Sequence, residues 1–282
     1  MKPIVAIMYD FDKTLSPRDM QEYAFIPGIG MTAPDFWENC NRLMRTYEMD
    51  SILAYMYFMV EQSKERNFRI TREEFRRQGK IVELFDGVCE WFERINEYGE
   101  EKGVKIEHYV ISSGLKEIIE GTPIAKYFTK IYSAEFLYNK NGEVIWPAMA
   151  VNYTSKTQFV YRINKGVLDV TEHAGLNEST PDDQKRIPFS NMIYIGDGLS
   201  DVPCMKLVKT SGGHSVAVYQ DKTHEAVKLL KNGRVSYIAK ADYTAGGKLD
   251  TTIKAIIDQI KACNVTKAIY LNDIAENETE KK

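Results

Sequence analysis

The chain has 282 residues, 44% of them hydrophobic, enough to fill one large domain or a core carrying an insertion. Its 37 basic and 40 acidic residues leave a net charge of -3, so there is no basic excess for a nucleic-acid partner and no single-sign block for an electrostatic tether. No apolar run is long enough for a bilayer, the N-terminal run is broken by Asp10 and so does not read as a signal peptide, and Cys40, Cys89, Cys204 and Cys263 form no C-x-x-C pair. They read as buried thiols of a cytoplasmic protein whose partner is a small molecule.

The first predicted strand is Ile4-Val5-Ala6-Ile7-Met8-Tyr9, and it ends in Asp10-Phe11-Asp12-Lys13-Thr14-Leu15. Side chains alternate along an extended segment, so Asp10 and Asp12 are expected on one face, at a strand end where open α/β sheets bind ligands. Unpaired carboxylates beside a core strand cost several kcal/mol in order of magnitude, which calls for a cation, a bound metal or protonation, a metal being the simplest answer.

Helical spacing follows. Thr32, Pro34 and Asp35 mark a helix start, with Trp37, Cys40, Leu43, Met44 and Tyr47 on its apolar face. Ile52 to Val60 is apolar around much of the cylinder and reads as buried between neighbours. Thr71 and Glu74 form a capping-box pattern, with Gly79 as the stop. Residues 16–80 thus read as an all-helical insertion, and its aromatic and methionine stripe reads as core rather than as a ligand cage.

Alternation of helix and strand begins near Val88. Ile106 to Ile111 is a β-rich run that ends in Ser112-Ser113-Gly114, a hydroxyl–glycine turn able to bind an anion. Asn141-Gly142 suggests a two-residue hairpin turn between Ile131–Tyr138 and Val144–Trp146, a small antiparallel flap. Lys156 opens the helix carried by Phe159, Val160 and Ile163, where the helix dipole disfavours a cation unless something anionic offsets it. Residues 169–190 read as a long polar loop containing a lone His173. Met192 to Ile195 is a further strand that ends in Gly196-Asp197-Gly198-Leu199-Ser200-Asp201, a second acidic pair. Strands at Ser215–Val218 and Val235–Ile238, a helix through Ile260 and a charged, frayed tail from Glu276 complete the expectation.

These four pieces, in this order, resemble the haloacid dehalogenase superfamily of phosphohydrolases, in its phosphoserine phosphatase-like branch. Asp10 to Leu15 looks like the first motif, Ser112 after Tyr109-Val110-Ile111 like the second, Lys156 like the third and Gly196 to Asp201 like the fourth. The 169–190 segment makes the interval between the third and fourth longer than in compact members. The resemblance implies a Rossmann-like parallel-sheet α/β core, residues 1–15 and 81–282, with a small all-α cap, residues 16–80, inserted after the first strand. It also implies a magnesium-dependent phosphatase hydrolysing a small-molecule phosphate monoester through an aspartyl-phosphate. Asp10 would be the nucleophile and Asp12 the acid and base; Ser112, Ser113 and Lys156 would bind phosphate. Asp10, Asp12 (through its backbone carbonyl) and Asp197 would hold Mg2+, with Asp201 orienting Lys156 or a metal-bound water.

Two alternatives share these residues: a non-catalytic module that binds a phosphorylated ligand, and a phosphotransferase to an alcohol acceptor. Substrate identity and oligomeric state are not legible in the sequence, nor is which of Arg18, Asp19, Glu22, Arg42 or Arg45 faces the site.

Overall fold

A computed structural model describes residues 2–181 and 184–279. Its elements are β1 (Ile4–Tyr9), α1 (Phe25–Gly28), α2 (Ala33–Tyr47), α3 (Ser51–Glu65), α4 (Arg72–Gly79), α5 (Val88–Lys102), β2 (Lys105–Leu115), α6 (Lys116–Glu120), β3 (Phe128–Tyr138), β4 (Val144–Met149), α7 (Lys156–Lys165), α8 (Ala174–Asn177), β5 (Met192–Gly196), α9 (Val202–Thr210), β6 (His214–Tyr219), α10 (His224–Lys231), β7 (Tyr237–Lys240) and α11 (Lys248–Thr279). Seven strands form one sheet in the order β4-β3-β2-β1-β5-β6-β7. All neighbouring pairs are parallel except β3 and β4. This is the expected Rossmann-like α/β core.

Parity along β1 assigns its two faces. Val5, Ile7 and Tyr9 join the apolar cluster that includes residues of α5 and α11, while Ala6 and Met8 join the one beneath α7 and α9. With both faces covered, β1 is apolar throughout and its only polar outlet is its carboxyl end. Because β1 lies between β2 and β5, the loops after all three strands open at one edge of the sheet.

Between β1 and α5 the ordered elements are helical. Thr32 caps α2 by accepting from the Asp35 amide (3.3 Å), Asp50 caps α3 through the amides of Ile52 (2.9 Å) and Leu53 (3.2 Å), and Thr71 caps α4 through that of Glu74 (3.1 Å). Gly79 does more than stop α4. A Cβ there would collide with the Ile118 carbonyl oxygen and stand 2.7 Å from the Gly121 Cα, so the glycine permits close packing of α4 on α6.

Several expectations change. The hairpin loop is not a two-residue turn: Asn139 and Glu143 pair around three residues, with Asn139 Oδ1 accepting from the Asn141 and Glu143 amides and Gly142 at φ +75°. Nor is β3 a separate flap strand, since its first half pairs with β2 in the main sheet. Strand β7 starts at Tyr237, and α11 continues to Thr279 where a frayed tail was expected. In α3, Leu53 and Tyr57 are exposed, so only one side of that helix is buried. Cys40 and Cys204 are buried but Cys89 and Cys263 are exposed. The expected 169–190 loop, of which residues 182 and 183 lie outside the described residues, has a hub over 169–172 that sequence reading missed. The Arg162 guanidinium, on a side chain 2% exposed, donates to the carbonyls of Asp169 (2.6 Å), Val170 (3.1 Å) and Glu172 (2.9 Å). Among the described residues no helix is long and apolar enough to cross a membrane.

Candidate active site

The chain leaves β1 under constraint. Asp10 continues the ladder, its amide donating to the Ile195 carbonyl (2.9 Å), and the Asp10 carboxylate accepts from the Phe11 amide (2.8 Å). The amides of Thr14, Leu15 and Ser16 all turn back onto the Phe11 carbonyl, and Lys13 sits in the left-handed region at φ +59°. A lysine held there stores strain of about 1–3 kcal/mol, a feature typical of functional turns.

The two carboxylates of the Asp-x-Asp run have different neighbours. Asp10 Oδ2 lies 3.1 Å from Lys156 Nζ, on a side chain wholly buried at the start of α7. Lys156 Nζ also meets Asp201 Oδ1 (2.7 Å), which accepts in addition from the Tyr194 hydroxyl (2.9 Å). The anionic counterweight expected beside that helix start is thus Asp10 and Asp201. Although Asp201 occupies the N-cap of α9, its side chain caps nothing, because it is turned toward Lys156. Asp12 instead takes the Met20 amide (2.9 Å) and faces the helical segment.

Glycines set the spacing. A Cβ on Gly196 would lie 2.5 Å from Asp201 Oδ2, and one on Gly114 would collide with the Met20 methyl and stand 2.8 Å from Asp12 Oδ2. By contrast, Gly198 faces open space. Strand β2 runs on through the Ser112-Ser113-Gly114 turn, with a register shift before Leu115. There the Ser112 hydroxyl accepts from the Gly114 amide (3.1 Å), and the Ser113 carbonyl accepts from the Tyr55 hydroxyl of α3 (2.8 Å).

Electrostatics mark the cluster. Burial, then Asp201, push the Asp10 carboxyl up to about 6 against the pull of Lys156. Burial, then Asp10 and Asp201, push Asp197 up to about 8. Burial, then Asp19 and Asp10, hold Asp12 well above the carboxylate range. For Lys156 burial works downward, but Asp10 and Asp201 outweigh it and keep the ammonium charged.

The residue set suits a hard divalent cation. Oxygens of Asp10, Asp197 and Asp201 lie within 4.8 Å of one another, and Asp201 Oδ2 is buried without a hydrogen-bond partner. Three carboxylates with an orphaned oxygen match the oxygen-only preference of magnesium. The Asp12 carboxylate is not in that group.

A model of haloacid dehalogenase-like hydrolases matches residues 7–206. The chain belongs to that family. A relative in Borreliella burgdorferi, described as an uncharacterized protein, is 29% identical over 273 residues, which take in 87% of this chain and 94% of that one. Among solved structures, a haloacid dehalogenase-family hydrolase from Salmonella enterica serovar Typhi has a TM-score of 0.58 at 14% identity, covering 89% of this chain and 70% of its own. A substrate-bound phosphoserine phosphatase gives 0.56 at 13% identity (86% and 96%), and a phosphoserine phosphohydrolase-like protein from Francisella tularensis gives 0.50 at 20% identity (85% and 95%). At those identities the likeness is one of fold.

Asp10, Lys156, Asp197 and Asp201 therefore converge in this hydrolase at the carboxyl edge of the sheet. Ser113 and Asp12 line a neighbouring cavity of about 240 Å³ beneath α2 and α3. Sequence reading missed two things. Tyr194 carries a hydroxyl two residues before Gly196, a signal hidden inside an apolar strand. Trp37, Cys40 and Met44, read as core by their helical spacing, line that cavity together with Tyr55. The spacing located the inward face correctly: it packs on the core and on α3, as in the edge-to-face contact of Trp37 with Tyr55, and in addition borders this cavity.

Proposed function

We propose that this hydrolase is a magnesium-dependent phosphatase acting on a small-molecule phosphate monoester through an aspartyl-phosphate on Asp10. One observation carries the reading: a strand-end carboxylate 3.1 Å from a wholly buried lysine, with two further carboxylates close enough to share a cation.

In this mechanism Asp10 attacks phosphorus and forms the new P–O bond as the bond to the leaving alcohol breaks. Asp12, whose surroundings favour its protonated form, gives the alcohol its proton and then takes one from the water that hydrolyses the intermediate. Lys156, Ser112 and Ser113 hold phosphoryl oxygens. Asp201 fixes the Lys156 ammonium in place. Magnesium bound by Asp10, the Asp12 backbone carbonyl and Asp197 would supply the positive charge that lets one anion approach another. The helical segment 16–80 serves as the cap, closing over Asp12 and setting the leaving group.

The test is phosphate release from p-nitrophenyl phosphate with magnesium and with EDTA, for the wild type and Asp10→Asn. Metal-dependent release that is absent in Asp10→Asn is expected. Equal release by both proteins would move the chemistry off Asp10. Ligand binding without release from any ester would favour a binding module on the same fold.

A further inference from the structure

The two oxygens of Asp12 have different surroundings. Among the described residues its carboxylate accepts only from the Met20 amide, on Oδ1 (2.9 Å). Met20 opens the single turn Met20–Glu22, whose own bonds run from the Glu22 amide to the Asp19 carbonyl (2.9 Å) and from the Tyr23 amide to the Met20 carbonyl (3.5 Å). Neither uses the Met20 N–H, so that donor is left for Asp12.

Met20 is itself pinned. It is 1% exposed, its sulfur accepts from the Leu115 amide (3.1 Å), and its terminal methyl lies so close to Gly114 that a Cβ on the glycine would collide with it. One residue thus ties Asp12 to the Ser112-Ser113-Gly114 turn. The second oxygen, Asp12 Oδ2, lies on the side of that turn, 2.8 Å from where a Gly114 Cβ would stand, and accepts from no described residue.

We infer that the Met20 amide assigns the catalytic proton of Asp12 to Oδ2, which makes Met20 a positioning residue for proton transfer to the leaving group. This rests on the phosphatase reading above, in which Asp12 is the acid. A neutral carboxyl has one carbonyl-type oxygen, the better acceptor, and one hydroxyl oxygen. An N–H can only donate, so it favours the form whose carbonyl oxygen faces it, here Oδ1. The hydroxyl is then Oδ2, beside the turn that would hold phosphate. As the P–O bond to the alcohol breaks, its electron pair stays on the alcohol oxygen and the proton on Oδ2 moves to it. Asp12 is left as a carboxylate, and Oδ2 is the oxygen open to a proton from the attacking water. Glycine at 114 keeps the space beside Oδ2 clear.

The experiment replaces the Met20 peptide N–H by an ester oxygen, using the α-hydroxy acid analogue of methionine at position 20 of the full chain. This deletes the donor and keeps the side chain. Phenyl phosphate and p-nitrophenyl phosphate are compared with magnesium: their shapes are similar, but phenolate leaves poorly without a proton and nitrophenolate needs little protonation. Expected is a kcat loss at least about fivefold greater for phenyl phosphate, the worth of one ordinary hydrogen bond, with both KM values unchanged. A merely structural defect would lower both esters alike. The second variant reads Oδ2 and is Gly114→Ala in a Met20→Ala background, where the clash with the Met20 side chain is gone and the close approach to Oδ2 remains. Relative to Met20→Ala alone, it should again lose more with phenyl phosphate. Equal losses on the two esters, or none, in either variant that folds overturn the inference, while wild-type turnover keeps the phosphatase reading. Wild-type protein that turns over neither ester overturns both.

Discussion

Lys156→Met is the most informative perturbation of the fold. Its ammonium is wholly buried and is shared by Asp10 (3.1 Å) and Asp201 (2.7 Å). Methionine fills similar space without charge, so the variant isolates the electrostatics. Asp201 would keep only Tyr194, and Asp10 only the Phe11 amide. Removing one partner of a buried ion pair typically costs about 3–5 kcal/mol.

The Asp10 carboxylate has an escape, which is to take up a proton, and this gives the effect a pH signature. Already pushed up to about 6 with Lys156 pulling it down, the Asp10 carboxyl rises further in the variant, so the stability it retains is present at low pH and is lost as pH rises toward that value. The deficit against wild type should therefore widen between pH 5.5 and pH 8, by up to about 1.4 kcal/mol per unit for each proton held. Urea unfolding in EDTA at the two pH values measures it. Adding Asp201→Asn to Lys156→Met should recover part of the loss, because one uncompensated charge is gone. A deficit below about 1 kcal/mol, or one that does not change with pH, would refute the claim that Lys156 neutralises this cluster.

Asp12→Ala should lose far more activity toward alkyl phosphates than toward p-nitrophenyl phosphate, whose leaving group needs little protonation; equal losses would contradict an acid role. Gly114→Ala should lower kcat by tenfold or more while the protein still folds, since the added methyl presses on Met20 and Asp12; an unchanged kcat would show that the Asp12 turn yields freely. His108, buried beside Tyr9 with its ring held down to about 3 by burial, is neutral in the folded protein but protonates below about 6.5 when unfolded. Stability should therefore fall as pH drops below 6.5, by about 1 kcal/mol between pH 6.5 and pH 5.5, and His108→Gln should flatten that slope in urea titrations; an unchanged slope would assign the acid sensitivity to other groups.

Much of this protein was legible in the chain because its signals are local. The apolar run of β1 ending at Asp10, the Thr32 and Thr71 caps, and the Gly-Asp-Gly turn after β5 each depend on a few consecutive residues, as do strand periodicity and capping themselves. The parallel-sheet core and the family followed from the order of those signals. The hairpin loop was misread because Asn-Gly suits a two-residue turn, whereas the Asn139 side chain organises a longer one.

Tertiary structure decided the rest, because it depends on which distant side chains share a space. Asp10 and Asp12 lie two residues apart, yet one joins Lys156 and Asp201 while the other turns to Met20 and the helices. No periodicity carries that divergence. Trp37 has core spacing, and only the packing of α2 over the Asp12 turn shows that it lines a cavity, together with Tyr55 of α3. Sequence determined which residues could do chemistry; packing determined which of them meet.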